Sequence, residues 1–263
     1  QALDRRHDLP DGTAWVNYVR SHDDIGWTFA DEDAAELGIN GFTHRQFLNR
    51  FYTGRFDGTF ARGVPFQENP LTGDARVTGT AASLAGIEAG DVGGEDRLVL
   101  AYALAMSTGG IPLIYLGDEM AQLNDYSYRD DPALRADSRW VHRARRSRER
   151  AAESQDAATL PGRVSHRIRR VISVRQNTPE FEGNTLLPFH APHPGVVGYQ
   201  RPGKNTIVLA LANVSDNAVE IPAVTFSGIH PAALDLITDL PSHLADGLTL
   251  PAHGFVWLRV RAV

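Results

Sequence analysis

Tyr18-Val19-Arg20-Ser21-His22-Asp23-Asp24-Ile25-Gly26-Trp27 is the stretch on which the reading of this chain turns. It grows out of Ala14-Trp15-Val16-Asn17-Tyr18-Val19, a β-branched and aromatic run with the character of a buried strand, predicted over 14–20 after the Asp11-Gly12 break. Polar chemistry begins where the apolar run stops. In open α/β sheets and (β/α)8 barrels the carboxyl ends of strands collect catalytic groups, because the rigid backbone there aims side chains into a shared pocket. His22, Asp23 and Asp24 hold that place. Taken alone, the trio reads first as an Asx turn beside an ordinary hydrogen-bonded histidine.

A second strand strengthens the first. Thr108-Gly109-Gly110 turns the chain into Ile111-Pro112-Leu113-Ile114-Tyr115-Leu116, a continuous apolar run of the parallel, doubly covered kind, which ends in Gly117-Asp118-Glu119. The crossover between the strands contains a helix, Glu95 to Ser107, that is apolar nearly all round and hence buried between layers. Strand, crossover helix and strand make a βαβ unit, which brings the second polar terminus beside the first. Asp118 and Glu119 are read as structural hydrogen-bonding groups, not as proton-transfer groups.

The rest of the chain is organised around these ends. Asp31-Glu32-Asp33 reads as an acidic first helical turn, with a calcium loop as the alternative, and Thr43 with Gln46 reads as a capping box. Phe47, Leu48, Phe51 and Tyr52 share one face of the helix that follows and are read as core. Residues 55–80 are rich in Gly, Pro, Asn, Asp and Thr, a loop of the length usually kept for function, and they carry Arg62, Gln67 and Arg76. A short Ala-rich helix stopped by Gly90 follows. Residues 121–160 are polar and irregular; within them stand Asp137-Ser138-Arg139-Trp140 and an arginine-rich run from Arg143 to Arg150, read as a solvated helix face. An amphipathic helix runs from Gly162 to Pro179. Beyond it the period changes: Leu186–Phe189, Val196–Tyr199, Thr206–Leu211, Leu234–Ile237 and Phe255–Val260 are short apolar runs set apart by turn residues, the pattern of an all-β sandwich.

Composition narrows the function classes. With 42% hydrophobic residues the chain can bury a sizeable core, and a formal charge of −6 with acidic and basic residues intermixed gives no nucleic-acid-binding patch. No apolar run approaches the ~18 residues of a membrane span. There is no cysteine, which excludes disulfides and thiolate metal sites and leaves the compartment open, with the cytoplasm favoured over secretion. No spacing of His, Asp and Glu forms a metal-ligand set, so neither metal nor cofactor is expected.

Ser21-His22-Asp23-Asp24-Ile25-Gly26-Trp27-Thr28-Phe29-Ala30-Asp31-Glu32-Asp33, His44 to Phe51 and Phe60-Ala61-Arg62-Gly63-Val64-Pro65-Phe66-Gln67 together resemble the amylosucrase and sucrose hydrolase branch of the α-amylase family, over essentially the whole chain. The resemblance implies an α/β fold, the C-terminal portion of a (β/α)8 barrel with strands 7 and 8 and an inserted loop domain, followed by an all-β Greek-key sandwich. The implied divisions are 1–24 (end of the barrel, strand 7), 25–90 (inserted domain), 91–178 (helix 7, strand 8, helix 8) and 179–263 (sandwich).

Retaining glycoside chemistry needs two carboxyl groups about 5 Å apart across the scissile bond, and its oxocarbenium-like transition state gains from a further carboxylate and from hydrogen bonds to the sugar. By resemblance Asp23 is that further carboxylate, the transition-state stabiliser, with His22 beside it on the glucosyl hydroxyls. Asp24 and Arg76 would hold the fructosyl or acceptor ring, Gln67 would add a second ligand there, and Arg139 would pair with an acid at the pocket floor or serve as a salt-bridged loop anchor. The family's nucleophilic Asp and general-acid Glu belong to strands 4 and 5, which would lie upstream of Gln1. This chain is therefore expected to be inactive by itself, with the N-terminal half of the same enzyme as its partner and sucrose and α-glucan as substrates. Sucrose hydrolase is the near alternative. A carbohydrate-binding or structural module, with Trp257 or Tyr199 as a sugar platform, is the alternative of another class, and a nicked enzyme whose pieces stay together is a third.

Overall fold

A computed structural model describes Leu9, Pro10 and residues 12–262. In chain order the elements are β1 (Val16–Tyr18), α1 (Asp31–Glu36), α2 (Gly41–Tyr52), β2 (Val64–Phe66), β3 (Arg76–Thr78), α3 (Ala81–Ala85), α4 (Gly94–Ser107) and β4 (Ile111–Leu113). After single-turn 3-10 segments at Asp118–Met120, Tyr126–Asp130 and Ser138–His142 come α5 (Arg148–Glu153) and α6 (Leu160–Gln176). Strands follow: β5 (Leu187–Pro188), β6 (Val196–Pro202), β7 (Thr206–Asn213), β8 (Val219–Ile221), β9 (Ala232–Asp235), β10 (Leu240–His243), β11 (Leu248–Leu250) and β12 (Phe255–Arg261). The chain forms two compact units. One takes Gln1–Val19, Val99–Leu113 and His166–Val263, the other Arg20–Leu98 and Ile114–Ser165. Each draws on non-contiguous segments, where the sequence suggested serial blocks.

In the first unit β1 and β4 pair in parallel, Val16 opposite Ile111 and Tyr18 opposite Leu113. This is the predicted βαβ pairing, in strands shorter than the expected 14–20 and 111–116. Gly109 and Gly110, both at positive φ, make the turn into β4, and the Asn17 amide donates to the Gly109 carbonyl. Arg175 of α6 fixes the same turn, donating to the carbonyls of Gly110 (2.7 Å) and Met106 (2.8 Å). The expected double-sided burial of these strands is not what the structure has: Val16, Tyr18 and Ile111 are each more than half exposed. The open face is the one that Val16, Tyr18, Ile111 and Leu113 share; Asn17 and Pro112 on the other face are half-buried.

The β-rich region is two sheets over one core. A six-stranded sheet runs β10-β9-β12-β7-β6-β5 with antiparallel neighbours, and β8 pairs with β11 apart from it. Leu209, Leu211, Leu258 and Val260 from the larger sheet close on Val219, Ile221 and Leu250 from the smaller, with Phe226 and Leu244 between them. Trp257 and Tyr199 are both buried, Trp257 edge-on against Phe181 and the Tyr199 hydroxyl 2.6 Å from Ser107 Oγ. Neither is a platform for sugar.

In the second unit α2 begins at Gly41, and Asn40 caps it by accepting from the Thr43 N–H at 3.0 Å. The cap is thus Asn40, not the predicted Thr43–Gln46 box. α3 ends at Gly86, whose φ of +102° only glycine adopts readily, four residues before the predicted stop at Gly90. The stretch read as an unbroken loop, 55–80, contains the antiparallel hairpin β2–β3, with Phe66 opposite Arg76. Phe51 meets Phe60 edge-on at 5.1 Å and Phe47 meets Phe56 at 5.0 Å, so the α2 aromatics pack on those of the segment that follows the helix.

Candidate active site

The site forms because the chain past β1 is stitched to the hairpin. Ile25 and Val77 exchange both backbone hydrogen bonds, 2.8 and 2.9 Å, an isolated bridge that sets Asp24 beside Arg76. Asp24 Oδ2 lies 3.5 Å from Arg76 Nε, and Arg76 Nη1 donates to Gln67 Oε1 at 3.2 Å. Gln67 itself has a φ of +50°, in the left-handed region that a non-glycine residue enters only when its surroundings hold it there. Asp24, Arg76 and Gln67, paired by inference from the sequence, therefore form one chain of contacts.

A second group is centred on Arg139. Asp137 ends the irregular segment by capping the 3-10 turn Ser138–His142, and Arg139 folds back on it as a fork: Nε to Oδ1 at 2.9 Å, Nη2 to Oδ2 at 3.0 Å. Its remaining arm, Nη1, donates to Asp23 Oδ1 at 2.8 Å, and the guanidinium carbon lies 4.5 Å from the centre of the Phe66 ring. Ser138 Oγ donates to the Pro65 carbonyl at 2.9 Å, which fastens this turn to β2. Sequence reasoning expected an acidic partner for Arg139; the structure supplies Asp137 and Asp23.

The two adjacent aspartates are driven apart electrostatically. Arg139 holds the Asp23 carboxyl well below the usual carboxylate range, helped by the Asp24 N–H on Oδ1. Asp24, more deeply set, is pushed up by burial and by the neighbouring Asp23 charge. Asp137 is lowered by its hydrogen bonds from Arg139. Asp23 thus favours its charged form, while half of its side chain faces solvent. The His22 ring is exposed; its carbonyl is not idle, accepting from Arg143 Nε at 2.8 Å and lying 3.1 Å from His142 Nε2.

Asp118 and Glu119 differ sharply. Asp118 is fully buried and receives Arg20 Nε at 3.0 Å and Nη2 at 2.8 Å, while Arg20 also covers the Tyr115 ring at 4.3 Å. Among the described residues, Glu119 accepts the Gly117 N–H, at 2.7 Å.

Sequence reasoning passed over His142, gave Asp137 no role of its own, and read Arg143 into a solvated helix face, whereas Arg143 precedes α5 and bonds the His22 carbonyl. A signal was present: in a 3-10 turn residues three apart share a face, so Arg139 and His142 point the same way. His142 is buried, and burial pushes it down to about 4 from its ordinary 6.5. A folded-state value below the unfolded one means that the unfolded chain binds the extra proton first. The stabilisation is whole above about pH 6.5 and is lost as pH falls through 6.5 towards 4, in total about 3 kcal/mol. Urea midpoints at pH 7 and pH 5 measure it; equal midpoints would mean that His142 is not held neutral. Asp24, raised, acts in the opposite sense.

Among the described residues no helix is long and apolar enough to cross a membrane, and no group of three or more His, Cys, Asp and Glu is arranged to hold a metal ion. The solved structures that this chain resembles are α-amylase-family barrel enzymes, matched over their C-terminal part. The maltotriose complex of an AmyP variant superposes with a TM-score of 0.54 at 13% identity over 69% of this chain and 38% of that one. Eubacterium rectale Amy13B gives 0.50 at 16% identity over 71% of this chain and 38% of that one. At these identities the likeness concerns the fold. Curated relatives belong to the same family: glucosylglycerate phosphorylase of Escherichia coli (strain K12) is 26% identical over 254 residues, 94% of this chain and 42% of its own. Trehalose synthase/amylase TreS of Mycolicibacterium smegmatis is 25% identical over 96% of this chain and 43% of its own. The chain therefore spans about two fifths of the length of these relatives. No family model matches it.

Proposed function

We propose that the complete protein is an α-retaining glucosyl-transferring enzyme of the α-amylase type with sucrose as its donor, and that this chain supplies the transition-state carboxylate and the acceptor side of the pocket. The observation that carries the reading is the meeting of Asp23–Arg139 and Asp24–Arg76–Gln67 on consecutive residues past β1. Asp23 stabilises the oxocarbenium-like centre with His22 beside it, and Arg139 closes the glucosyl end. Asp24 and Gln67 offer acceptor oxygens and Arg76 offers donors, a set that suits the vicinal hydroxyls of a fructosyl or acceptor ring. The nucleophile and the acid/base come from barrel strands outside this chain, which is inactive without them. The exposed apolar residues Val16, Tyr18, Ile111 and Leu113 support such a cover for β1 and β4. Transfer to α-1,4-glucan is the amylosucrase-like outcome and hydrolysis the alternative.

A second reading, phosphorolysis of a glucosylated acid, is favoured by the Escherichia coli relative. Asp24 and Arg76 pair and carry no net charge between them, so that pair suits neutral hydroxyls and an anionic group alike, and the assay separates the readings. The test is to incubate the purified complete protein with sucrose, and separately with glucosylglycerate and phosphate. Fructose release is expected; glucose 1-phosphate from glucosylglycerate with no fructose from sucrose would replace the first reading by the second. Arg76→Ala should raise KM for the donor about tenfold with kcat within about threefold, the mark of lost ground-state binding. An unchanged KM would remove Arg76 from the acceptor ring.

A further inference from the structure

We propose that His142 is a positioning residue that presents Asp23 to the substrate, acting through the main chain of His22. The inference rests on the role given to Asp23 above, and nothing in the sequence motifs assigns it. Its ground is a ring held at both nitrogens. The Gly79 N–H donates to His142 Nδ1 at 3.0 Å, so Nδ1 carries no proton; in the neutral ring the proton is on Nε2, which donates to the His22 carbonyl at 3.1 Å. The imidazole is therefore a fixed spacer between two backbones: the end of β3 on one side and the residue before Asp23 on the other. It is 3% exposed, so water does not compete for either bond.

The spacer acts together with its surroundings. Arg143 Nε reaches the same His22 carbonyl at 2.8 Å, which is why removing His142 alone should displace the segment without unfolding it. Arg20 Nη1 donates to the Ser21 carbonyl at 3.3 Å and approaches the His142 carbonyl at 3.5 Å, while its other nitrogens are on Asp118. Ser21 Oγ accepts the Asp23 N–H at 3.1 Å, and Asp23 Oδ1 accepts the Asp24 N–H at 3.0 Å. Ser21 to Asp24 thus makes a tight polar turn whose carbonyl at His22 is its handle. Shifting that handle by a few tenths of an ångström moves Asp23 relative to Arg139 and to the sugar, where a small misplacement is costly in rate.

Two substitutions separate the two bonds. His142→Asn keeps an acceptor near Nδ1 and gives up the bond to His22; His142→Gln keeps a donor near Nε2 and weakens the bond to Gly79. For glucosyl transfer by the complete enzyme, His142→Asn should lower kcat about tenfold with KM within about twofold, and His142→Gln should recover to within about threefold of wild type. Hydrogen exchange in a peptide covering 21–25 should speed up about tenfold in the Asn variant and stay near wild type in the Gln variant. A purely structural role would instead lower the stability of both variants and leave kcat per folded molecule alike, which would overturn the proposal. Should the Asn variant not fold, nitrogen-15 spectra of histidine-labelled wild-type protein decide: a protonated Nε2 and bare Nδ1 at His142 are required, and the opposite tautomer overturns it. Wild-type protein inactive on every glucoside, with the tautomer and exchange results as expected, would count against the sucrose reading and leave the placement of His142 in force.

Discussion

Asp23→Ala is expected to lower glucosyl transfer by the complete enzyme by about three orders of magnitude or more and to leave folding in place. The two halves of the expectation come from separate facts. Half of the Asp23 side chain is exposed, and its partner Arg139 keeps the two-pronged pair with Asp137, so no buried charge is abandoned when Asp23 goes. An exposed ion pair of this kind is worth about 1 kcal/mol or less to stability. In the proposed role, by contrast, the transition state loses a carboxylate that Arg139 and the Asp24 N–H hold in its charged form. Asp23→Asn sharpens the test because it keeps an oxygen for the Asp24 N–H and removes only the charge. Turnover on sucrose, measured beside urea midpoints for both variants, checks it. Near-normal turnover in either variant would take Asp23 out of the reacting centre.

The strand ends were legible because they rest on abrupt changes of composition. Val16–Tyr18 and Ile111–Leu113 stand in apolar runs cut off by polar residues, and the parallel pairing follows from the helix between them. The β2–β3 hairpin was not legible. Its strands are three residues each, one carries Pro65 and the other begins with Arg76, so neither alternates strongly enough to stand out from a loop. The same holds for β8, β10 and β11, short segments that acquire their strand character only from a partner and a shared core. Burial failed in the opposite direction: an apolar strand reads as buried whatever covers it, and Val16, Tyr18 and Ile111 are exposed.

Within the site, residue identities were readable from motifs and partners were not. Arg139 was singled out, yet whether its acid is near or distant in sequence is a matter of geometry: Asp137 is two residues away and Asp23 is 116. His142 shows why the rest was hidden. Its tautomer is dictated by an N–H from Gly79, 63 residues upstream, and a histidine in a basic, irregular segment gives no hint of that. The Ile25–Val77 bridge, which aligns Asp24 with Arg76, is likewise a pairing of two residues with no motif between them.

Asp118→Ala should be strongly destabilising in the unit that holds the site, costing about 3–5 kcal/mol. The reason is what remains behind. Arg20 and Asp118 are 1% and 0% exposed at their side chains, and two guanidinium nitrogens converge on one carboxylate oxygen, which also lies 3.4 Å from the Ala81 N–H. Deleting the acid leaves a guanidinium with carbonyls and the Tyr115 ring for company but no counter-charge, a far worse state than removing both charges together. Arg20→Met combined with Asp118→Ala should therefore recover much of the loss, a positive coupling in the double-mutant cycle. Glu119→Gln, next in sequence, removes only a charge and keeps an oxygen to accept the Gly117 N–H, and should cost under about 1 kcal/mol. Urea midpoints of Asp118→Ala, Arg20→Met, the double variant and Glu119→Gln decide the matter. If Asp118→Ala and Glu119→Gln cost the same, the Arg20–Asp118 pair is not what holds the two segments that follow β1 and β4 together, and the support beneath His22 and Asp23 must lie elsewhere.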